Sequence, residues 1–225
     1  MNKIKKSIIW DLDGTLMDTL QDLHEAVNHA LTSCQMPPRT LEQTRSAVGN
    51  GVRTLMKLSV PDGEGNPQFE QVFDAFKQYY LIHCQDHTDL YPGIADLLKE
   101  LKQRGVRMAV VSNKLQSGVD ELYEVWFKDT IEIAIGERPE MSRKPAPDMV
   151  NLAISQMGIE KKDAIYIGDS DVDIATARNS NLPCISVLWG FRDREFLTEH
   201  GAMVFAERPE DILGIIDTMD KEQNS

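Results

Sequence analysis

The feature that most constrains this chain is a short apolar run near its start that leads directly into two acidic residues. The run Ser7-Ile8-Ile9-Trp10 has the composition of a strand covered on both faces, and Asp11 and Asp13 follow it. Gly14 can turn the chain sharply, so the strand should end at Leu12 or Asp13. Open parallel sheets bind ligands beyond the carboxyl ends of their strands. The acid pair therefore points to chemistry at a sheet edge.

Bulk composition narrows the class of protein. The 225 residues, 41% of them apolar, suffice for one sizeable globular domain or a domain with a smaller insert. A formal net charge of −12 argues against nucleic acid and anionic lipid as partners, because the phosphate term that dominates such binding would be repulsive. The sequence has no run of 18 apolar residues, so no membrane span is expected.

The cysteines indicate a compartment. Cys34, Cys84 and Cys184 are odd in number, widely separated and without Cys-x-x-Cys spacing, which fits a reducing environment better than a disulfide scaffold or a zinc site. The basic start, Met1 to Lys6, is similar to the start of a secretory signal, but the acid pair interrupts the apolar run that follows. A cytoplasmic location is the expectation.

Residues 17–88 are predicted to be entirely helical. Apolar positions spaced by three and four indicate amphipathic helices from Thr19 to Gln35 and from Phe69 to Tyr80. Thr40 and Gln43 have the spacing of a capping box, which predicts the start of another short helix. A segment inserted after the first strand would lie above the carboxyl end of that strand, where a lid is expected.

From residue 91 onward, helices and strands alternate. Strands are predicted at 106–111, 131–135, 164–167, 184–188 and 203–205. Helices are predicted at 94–104, 116–125, 147–157, 171–179 and 209–219. Helices of this length between short strands imply crossover connections and a parallel sheet. The predicted fold class is α/β: a doubly wound parallel sheet forms a Rossmann-like core from residues 1–16 and 89–225, and residues 17–88 form an inserted all-helical cap.

Three more groups of polar residues follow predicted strands. Ser112-Asn113-Lys114 supplies a hydroxyl, an amide and an amine suited to an anion, although a turn that caps the next helix explains it equally well. Arg143-Lys144 precedes prolines that fix the backbone, with a solvated basic loop as the alternative. Gly168-Asp169-x-x-x-Asp173 places two acids after a strand, and Asp171 between them is expected only to favour a helix N-terminus.

Taken in chain order, these four groups resemble the four motifs of the haloacid dehalogenase superfamily of phosphotransferases. The matching residues are Asp11-x-Asp13-Gly14-Thr15, Ser112, Lys144 and Gly168-Asp169-x-x-x-Asp173, with residues 17–88 in the place of the helical cap. Within the superfamily, the similarity is greatest to the phosphoglycolate phosphatases. It is carried by Val48-Gly49-Asn50-Gly51, Tyr91-Pro92-Gly93, Arg143-Lys144-Pro145-Ala146-Pro147 and Leu188-Trp189-Gly190-Phe191-Arg192-Asp193.

The resemblance implies a phosphoric monoester hydrolase. Asp11 would be the nucleophile that forms an aspartyl-phosphate, and Asp13 the acid that protonates the leaving alcohol and later activates water. The implied cofactor is Mg²⁺, held by the Asp11 carboxylate, the Asp13 carbonyl oxygen and Asp169. Asp173 would not bind the metal directly but would orient Lys144 or a metal-bound water.

The resemblance also implies how substrate is bound. The residues expected to contact the phosphoryl group are Thr15, Ser112, Asn113 and Lys144. In the cap, backbone N–H groups at a helix start after Gly51, with Arg53 nearby, would bind a second anionic group of the substrate. The alternative is that the glycines only end one helix and that Arg53 is solvated. The expected partner is a small phosphorylated metabolite, and a monomer and a homodimer are both left open.

Other functions of the same core remain. A sugar-phosphate mutase similar to β-phosphoglucomutase and a pyrophosphatase would differ in the cap, so the core motifs do not separate them from a phosphatase. A dehalogenase is disfavoured, because that chemistry does not use the second aspartate and the metal. A non-catalytic binding module would show degenerate motifs, and none is degenerate here.

Overall fold

The computed structural model describes residues 6–222. Most of the basic start on which the signal-peptide argument depends lies outside the described residues, and so does the end of the polar tail at 223–225. Among residues 6–222, none of the helices combines the length and apolar character needed to span a membrane.

A six-stranded sheet in which every pairing is parallel forms the centre of the fold, and a separate pair of two-residue strands accompanies it. In chain order the strands are β1 (Ser7–Trp10), β2 (Met17–Asp18), β3 (Asp89–Leu90), β4 (Met108–Leu115), β5 (Ile133–Glu137), β6 (Ala164–Gly168), β7 (Cys184–Val187) and β8 (Val204–Ala206). The order in the sheet is β5-β4-β1-β6-β7-β8. β1 is central, with Trp10 paired to Val110 on one side and Ile167 on the other. The predicted α/β class is confirmed.

The chain divides into two compact units. Met1–Leu16 and Leu90–Ser225 make up the sheet unit, and Met17–Asp89 makes up the insert unit. The insert unit contains the helices α1 (Leu20–Ser33), α2 (Leu41–Ala47), α3 (Gly51–Ser59) and α4 (Phe69–His83).

Apolar stripes and one capping motif explain the insert unit. α1 packs against α4, and both helices bury apolar residues, among them Leu23 and Val27 of α1 and Val72 and Phe76 of α4. Both halves of the Thr40 capping box are present, as predicted. The prediction that residues 17–88 are entirely helical was wrong at one end, because β2 pairs with β3. A two-residue strand carries too little alternation to be read from the sequence.

The remaining helices belong to the sheet unit. They are α5 (Ile94–Gln103), α6 (Gln116–Leu122), α7 (Asp148–Met157), α8 (Asp171–Ser180), α9 (Arg194–Glu199) and α10 (Asp211–Glu222). α9 was not predicted, because six residues do not establish a helical period. A capping signal was nevertheless present, since the Asp193 side chain accepts a hydrogen bond from the backbone N–H of Phe196.

Several strand boundaries differ from the predicted ones by a few residues, and the ends of β1 and β4 bear on the site. β1 ends at Trp10, before the predicted Leu12, although the Asp11 N–H still donates to Ile167 O at 2.8 Å. β4 continues to Leu115, so that Ser112-Asn113-Lys114 lies within a strand and is buried. The prediction ended the strand at Val111 because the next residues are polar. In the structure these polar residues continue the strand, and their side chains are buried in the site described below.

Candidate active site

Three strand ends meet at one edge of the sheet. Because β1 lies between β4 and β6 and all three are parallel, the residues at their carboxyl ends are neighbours. This arrangement brings together Asp11 after β1, Ser112 near the end of β4 and Asp169 after β6. All three residues are buried.

Gly14 turns the chain directly after the acid pair. Its φ of +91° lies in the left-handed region, and a Cβ at this position would lie 2.4 Å from Oδ2 of Asp169. The turn directs the fully buried Thr15 hydroxyl to Oδ1 of Asp169, to which it donates at 3.2 Å. In the structure the Thr15 hydroxyl thus supports a carboxylate, and phosphoryl binding by Thr15 stays a prediction.

The segment after β7 holds the other oxygen of Asp169. The backbone N–H of Phe191 donates to Asp169 Oδ2 at 2.7 Å, and the indole N–H of Trp189 donates to Thr15 O at 2.9 Å. A Cβ on Gly190 would lie 2.3 Å from the Asp169 Cβ, so a glycine is needed for this close approach. These contacts fix both carboxylate oxygens of Asp169.

Lys144 supplies a buried positive charge among the acids. Its ammonium lies 2.6 Å from Asp11 Oδ1 and 2.9 Å from Asp173 Oδ1, and it donates to the Tyr166 hydroxyl at 3.1 Å. The side chains of Lys144 and Asp173 are almost completely buried, and that of Asp11 is 10% exposed. The three acceptors match the three donors of an ammonium group.

The buried charges alter the acidity of the cluster. Burial, and next the charge of Asp173, raise the pKa of Asp11 well above its usual range, although Lys144 acts in the opposite direction. Burial and Asp173 likewise raise the pKa of Asp169 to about 7, against the Phe191 N–H that lowers it. Burial alone would lower the pKa of Lys144, but Asp11 and Asp173 outweigh it and hold that pKa above its ordinary value. With three carboxyl groups and one ammonium, full ionisation of the cluster would leave an excess of negative charge, and the raised pKa values of Asp11 and Asp169 reflect burial together with that excess.

Asp13 lies at the more open side of the site. Its side chain is 18% exposed, and two groups of β4 contact it: the Ser112 hydroxyl at 3.5 Å and the Lys114 ammonium at 3.4 Å. The Ser112 oxygen also accepts from the backbone N–H of Lys114 at 3.1 Å. Asp13 is thus the more exposed acid of the pair, with a cation beside it.

Asn113 holds the loop that carries Lys144. Its Oδ1 accepts from the Lys144 backbone N–H at 2.9 Å, and its Nδ2 donates to Lys144 O at 3.2 Å. Asn113 was expected to donate to phosphoryl oxygens. Both ends of its amide contact the main chain of Lys144, which helps to place that residue, and donation from Asn113 to a phosphoryl group stays a prediction.

Asp173 is held from both sides. Its Oδ2 accepts from the Ser170 backbone N–H at 3.1 Å while the Ser170 Oγ accepts from the Asp173 backbone N–H at 3.4 Å, which forms a capping box at the start of α8. The Ser170 hydroxyl also lies 2.6 Å from Asp173 Oδ2 and donates to it. Asp173 Oδ1 accepts from Lys144 and Tyr166. Asp171 is the first residue of α8, as expected for an acid at a helix N-terminus, and its Oδ1 lies 3.9 Å from Nε of Arg192.

The cluster has the donor set of a site for a hard cation. Carboxylate oxygens of Asp11, Asp169 and Asp173 lie within 4.8 Å of one another, and all three residues are buried. Oxygen ligands and an excess of buried negative charge suit Mg²⁺. Each of the three acids also accepts hydrogen bonds: Asp173 from Lys144, Tyr166 and Ser170, Asp169 from Thr15 and the Phe191 N–H, and Asp11 from Lys144.

The predicted cap residues lie in the insert unit. Gly51 begins α3 with a φ of +77°. The Arg53 guanidinium contacts Glu64 at 2.8 Å and Glu70 at 2.6 Å, and it lies over the ring of Phe69 at 5.1 Å. Its charge is thus matched within the insert unit, so a substrate anion would have to compete with two carboxylates. A substrate-reading role for Gly51 and Arg53 stays a prediction.

Two residues that contact the acid cluster were not assigned to the site from the sequence. Lys114 was noted as an amine but not placed in the site, and Tyr166 was seen only as an apolar strand residue. Alternation along β6 was a signal for Tyr166, because it stands two positions before Gly168 on a strand that leads into the site. Asp13, which Lys114 contacts, and Lys144, which Tyr166 contacts, are distant in sequence, and no local pattern identifies these contacts.

Comparison with known proteins agrees with this geometry. Residues 8–187 match the haloacid dehalogenase-like hydrolase family. A phosphoglycolate phosphatase of Rhodobacter capsulatus is 35% identical over 191 residues, 83% of this chain and 85% of that protein. Phosphoglycolate phosphatase 1 of Pseudomonas aeruginosa is 30% identical over 223 residues, 96% of this chain and 81% of that protein.

A solved structure adds to this similarity. The crystal structure of a Lactobacillus delbrueckii subsp. bulgaricus protein, predicted to be a phosphoglycolate phosphatase, matches with a TM-score of 0.90 at 37% identity, covering 96% of this chain and 99% of that one. The chain belongs to the haloacid dehalogenase-like hydrolases. It is a phosphatase, similar to the phosphoglycolate phosphatases, and the resemblance read from its motifs is confirmed.

Proposed function

We propose that this protein is a Mg²⁺-dependent phosphatase that hydrolyses small phosphate monoesters through an aspartyl-phosphate, with phosphoglycolate as the best candidate substrate. The observation that carries this proposal is the buried contact of 2.6 Å between Lys144 and Asp11 beside Asp169 and Asp173. The names of the similar phosphatases support the choice of substrate. In this proposal the sheet unit is the catalytic core and the insert unit is the cap.

Asp11 is the proposed nucleophile. One of its oxygens attacks phosphorus, the bond from phosphorus to the alcohol oxygen breaks, and Asp13 gives its proton to that oxygen. Asp13 then takes a proton from the water that attacks the aspartyl-phosphate, which releases phosphate and restores the Asp11 carboxylate. Lys144 holds Asp11 in place and offsets negative charge near the reacting group.

Asp11 and Asp169 are the proposed metal ligands from side chains, with the carbonyl oxygen of Asp13 as the third protein ligand. When bound, Mg²⁺ neutralises charge on the carboxylates and on the phosphoryl oxygens. Thr15 and the Phe191 N–H keep Asp169 aimed at this position. The rigid support of Asp169 is what a preformed cation site requires.

The role of Asp13 can be tested by changing the leaving group. We expect Asp13→Asn to lower kcat for an alkyl phosphate by at least about 10²-fold, because proton donation to the leaving oxygen is lost. The loss on p-nitrophenyl phosphate should be clearly smaller, because p-nitrophenolate leaves without a proton. Both rates are measured at saturating Mg²⁺. Equal losses on the two substrates would remove the leaving-group role from Asp13.

A comparison of substrates tests the proposed function as a whole. With Mg²⁺, we expect kcat/KM for phosphoglycolate to exceed that for p-nitrophenyl phosphate by about ten-fold or more, equivalent to about 1.4 kcal/mol. Turnover should stop when EDTA is added and return with excess Mg²⁺.

The same comparison separates the alternatives. Conversion of β-glucose 1-phosphate to glucose 6-phosphate would identify a mutase, and a preference for pyrophosphate would identify a pyrophosphatase. Failure to hydrolyse any of these compounds would argue that the site binds without catalysis and would overturn the proposal.

A further inference from the structure

The Lys144 ammonium is held by three groups, of which one has no part in the proposed chemistry. Two of them are Asp11 and Asp173, whose roles follow from the reaction and from its metal. The third is the Tyr166 hydroxyl, 3.1 Å from the Lys144 nitrogen. An ammonium has three N–H donors, so Tyr166 takes the one that the carboxylates leave.

The same hydroxyl also contacts Asp173. It donates to Asp173 Oδ1 at 3.0 Å and accepts from Lys144, which closes a triangle of hydrogen bonds among the three side chains. Tyr166 is fully buried in β6, and its ring packs in the apolar cluster that includes Ile9 and Met149. The ring is thereby anchored in the core while the hydroxyl reaches into the charged site.

This geometry restricts where the ammonium can go. Without the hydroxyl, the third N–H of Lys144 would lack this acceptor, and Asp173 would lose one of the donors on Oδ1. The ammonium could then shift between Asp11 and Asp173. A shift away from Asp11 would leave the attacking oxygen less well oriented, at a site where small displacements cost rate.

We propose that Tyr166 is a positioning residue that fixes the Lys144 ammonium against Asp11 and keeps Asp173 directed at Lys144. This proposal rests on the proposed function, since it assigns Tyr166 an effect on attack by Asp11. Tyr166 does not touch the reacting atoms. Its effect should therefore appear in kcat and leave the binding of substrate and of Mg²⁺ largely unchanged.

The test is Tyr166→Phe, which removes one oxygen and keeps the ring in the core. The matched control is Tyr123→Phe in the same unit, whose hydroxyl donates to the backbone oxygen of Ile131 at 3.1 Å, away from the charged cluster. We expect Tyr166→Phe to lower kcat for p-nitrophenyl phosphate by about ten-fold or more, with KM and the half-saturating Mg²⁺ concentration within about two-fold of wild type. Tyr123→Phe should leave all three unchanged. If kcat of Tyr166→Phe stays within about two-fold of wild type, the hydroxyl is only a structural group and the proposal is wrong.

A measurement on the wild-type protein covers the case in which Tyr166→Phe does not fold. The five tyrosines are labelled with ¹³C at Cζ, and their signals are assigned by Tyr→Phe variants at the other four positions. Addition of Mg²⁺ and orthovanadate, a phosphoryl mimic, should shift the Tyr166 signal and leave that of Tyr123 in place. An unmoved Tyr166 signal, with vanadate inhibition demonstrated, would overturn the proposal.

Failure of the proposed function is separately visible. If the wild-type enzyme is indifferent to EDTA, or if Asp11→Asn retains activity, the aspartyl-phosphate route is wrong. The comparison between Tyr166→Phe and wild type tests positioning only. It is interpreted after EDTA and Asp11→Asn have each been found to abolish activity.

Discussion

Asp11→Asn should lower kcat for p-nitrophenyl phosphate by at least about 10⁴-fold, which corresponds to about 5.5 kcal/mol of transition-state free energy. The substitution keeps the size of the side chain but replaces the attacking carboxylate with an amide that is a poor nucleophile. Rates are measured at saturating Mg²⁺ over several purifications, so that a contaminating phosphatase is recognised by its variable level.

The fold should survive this substitution. Burial and the charge of Asp173 raise the pKa of Asp11, which means that the folded protein holds the charged form of Asp11 at a cost. The amide removes that cost, but it offers the Lys144 ammonium a neutral acceptor in place of a charged one and so weakens the 2.6 Å contact, while Asp173 stays a partner of Lys144. Because the two effects oppose each other, we expect the Tm without Mg²⁺ to stay within about 4 °C of wild type, the shift that about 1 kcal/mol produces in a chain of this size.

Asp148→Asn is the matched control for this prediction. Asp148 is an exposed residue at the start of α7 in the same unit, so the same chemical change there should leave kcat unaltered. Appreciable, reproducible activity of Asp11→Asn would rule out an aspartyl-phosphate at this residue. Loss of activity together with a collapse of Tm would instead assign Asp11 a structural role.

The sequence predicted the placement of the site better than its internal contacts. An apolar run followed by Asp11 and Asp13, and another followed by Gly168 and Asp169, are local patterns, and parallel strand order brings their ends together. For this reason the sequence alone places Asp11, Asp13 and Asp169 at one edge of the sheet. The use of local patterns also explains the error at β4, where buried polar residues continue a strand that composition alone would end at Val111.

The contacts that could not be predicted depend on partners distant in sequence. The Thr15 hydroxyl finds Asp169, the Asn113 amide finds the main chain of Lys144, and the Tyr166 hydroxyl finds Lys144 and Asp173. Each of these side chains can bind a phosphate or a protein group equally well. The choice is made by the tertiary fold, which places a buried acceptor or donor within reach of each one.

Asp169 should be the residue on which metal binding depends most. We expect Asp169→Ala to raise the Mg²⁺ concentration that gives half of the maximal rate by about a hundred-fold or more. Even the loss of a residue that only supports a metal ligand lowers metal affinity by about 10- to 100-fold. Asp171→Ala is the control: it removes an acid two positions away on a partly exposed helix end, and it should change that concentration by less than about three-fold.

A second variant separates loss of the metal from loss of structure. Asp169→Ala leaves the buried Thr15 hydroxyl and the Phe191 N–H without their acceptor, and each such loss costs about 1–3 kcal/mol of stability. Asp169→Asn keeps an oxygen for one of these donors and removes only the charge, so it should fold more stably than Asp169→Ala and still require far more Mg²⁺ than the wild-type protein does.

The increase in Tm that Mg²⁺ gives the wild-type protein should be reduced in both Asp169 variants and retained in Asp171→Ala, because a ligand raises Tm only by binding to the folded state. If Asp171→Ala weakens Mg²⁺ binding more than Asp169→Asn does, the cation is held at the start of α8 and not between Asp11 and Asp169, and the ligand assignment must be reversed.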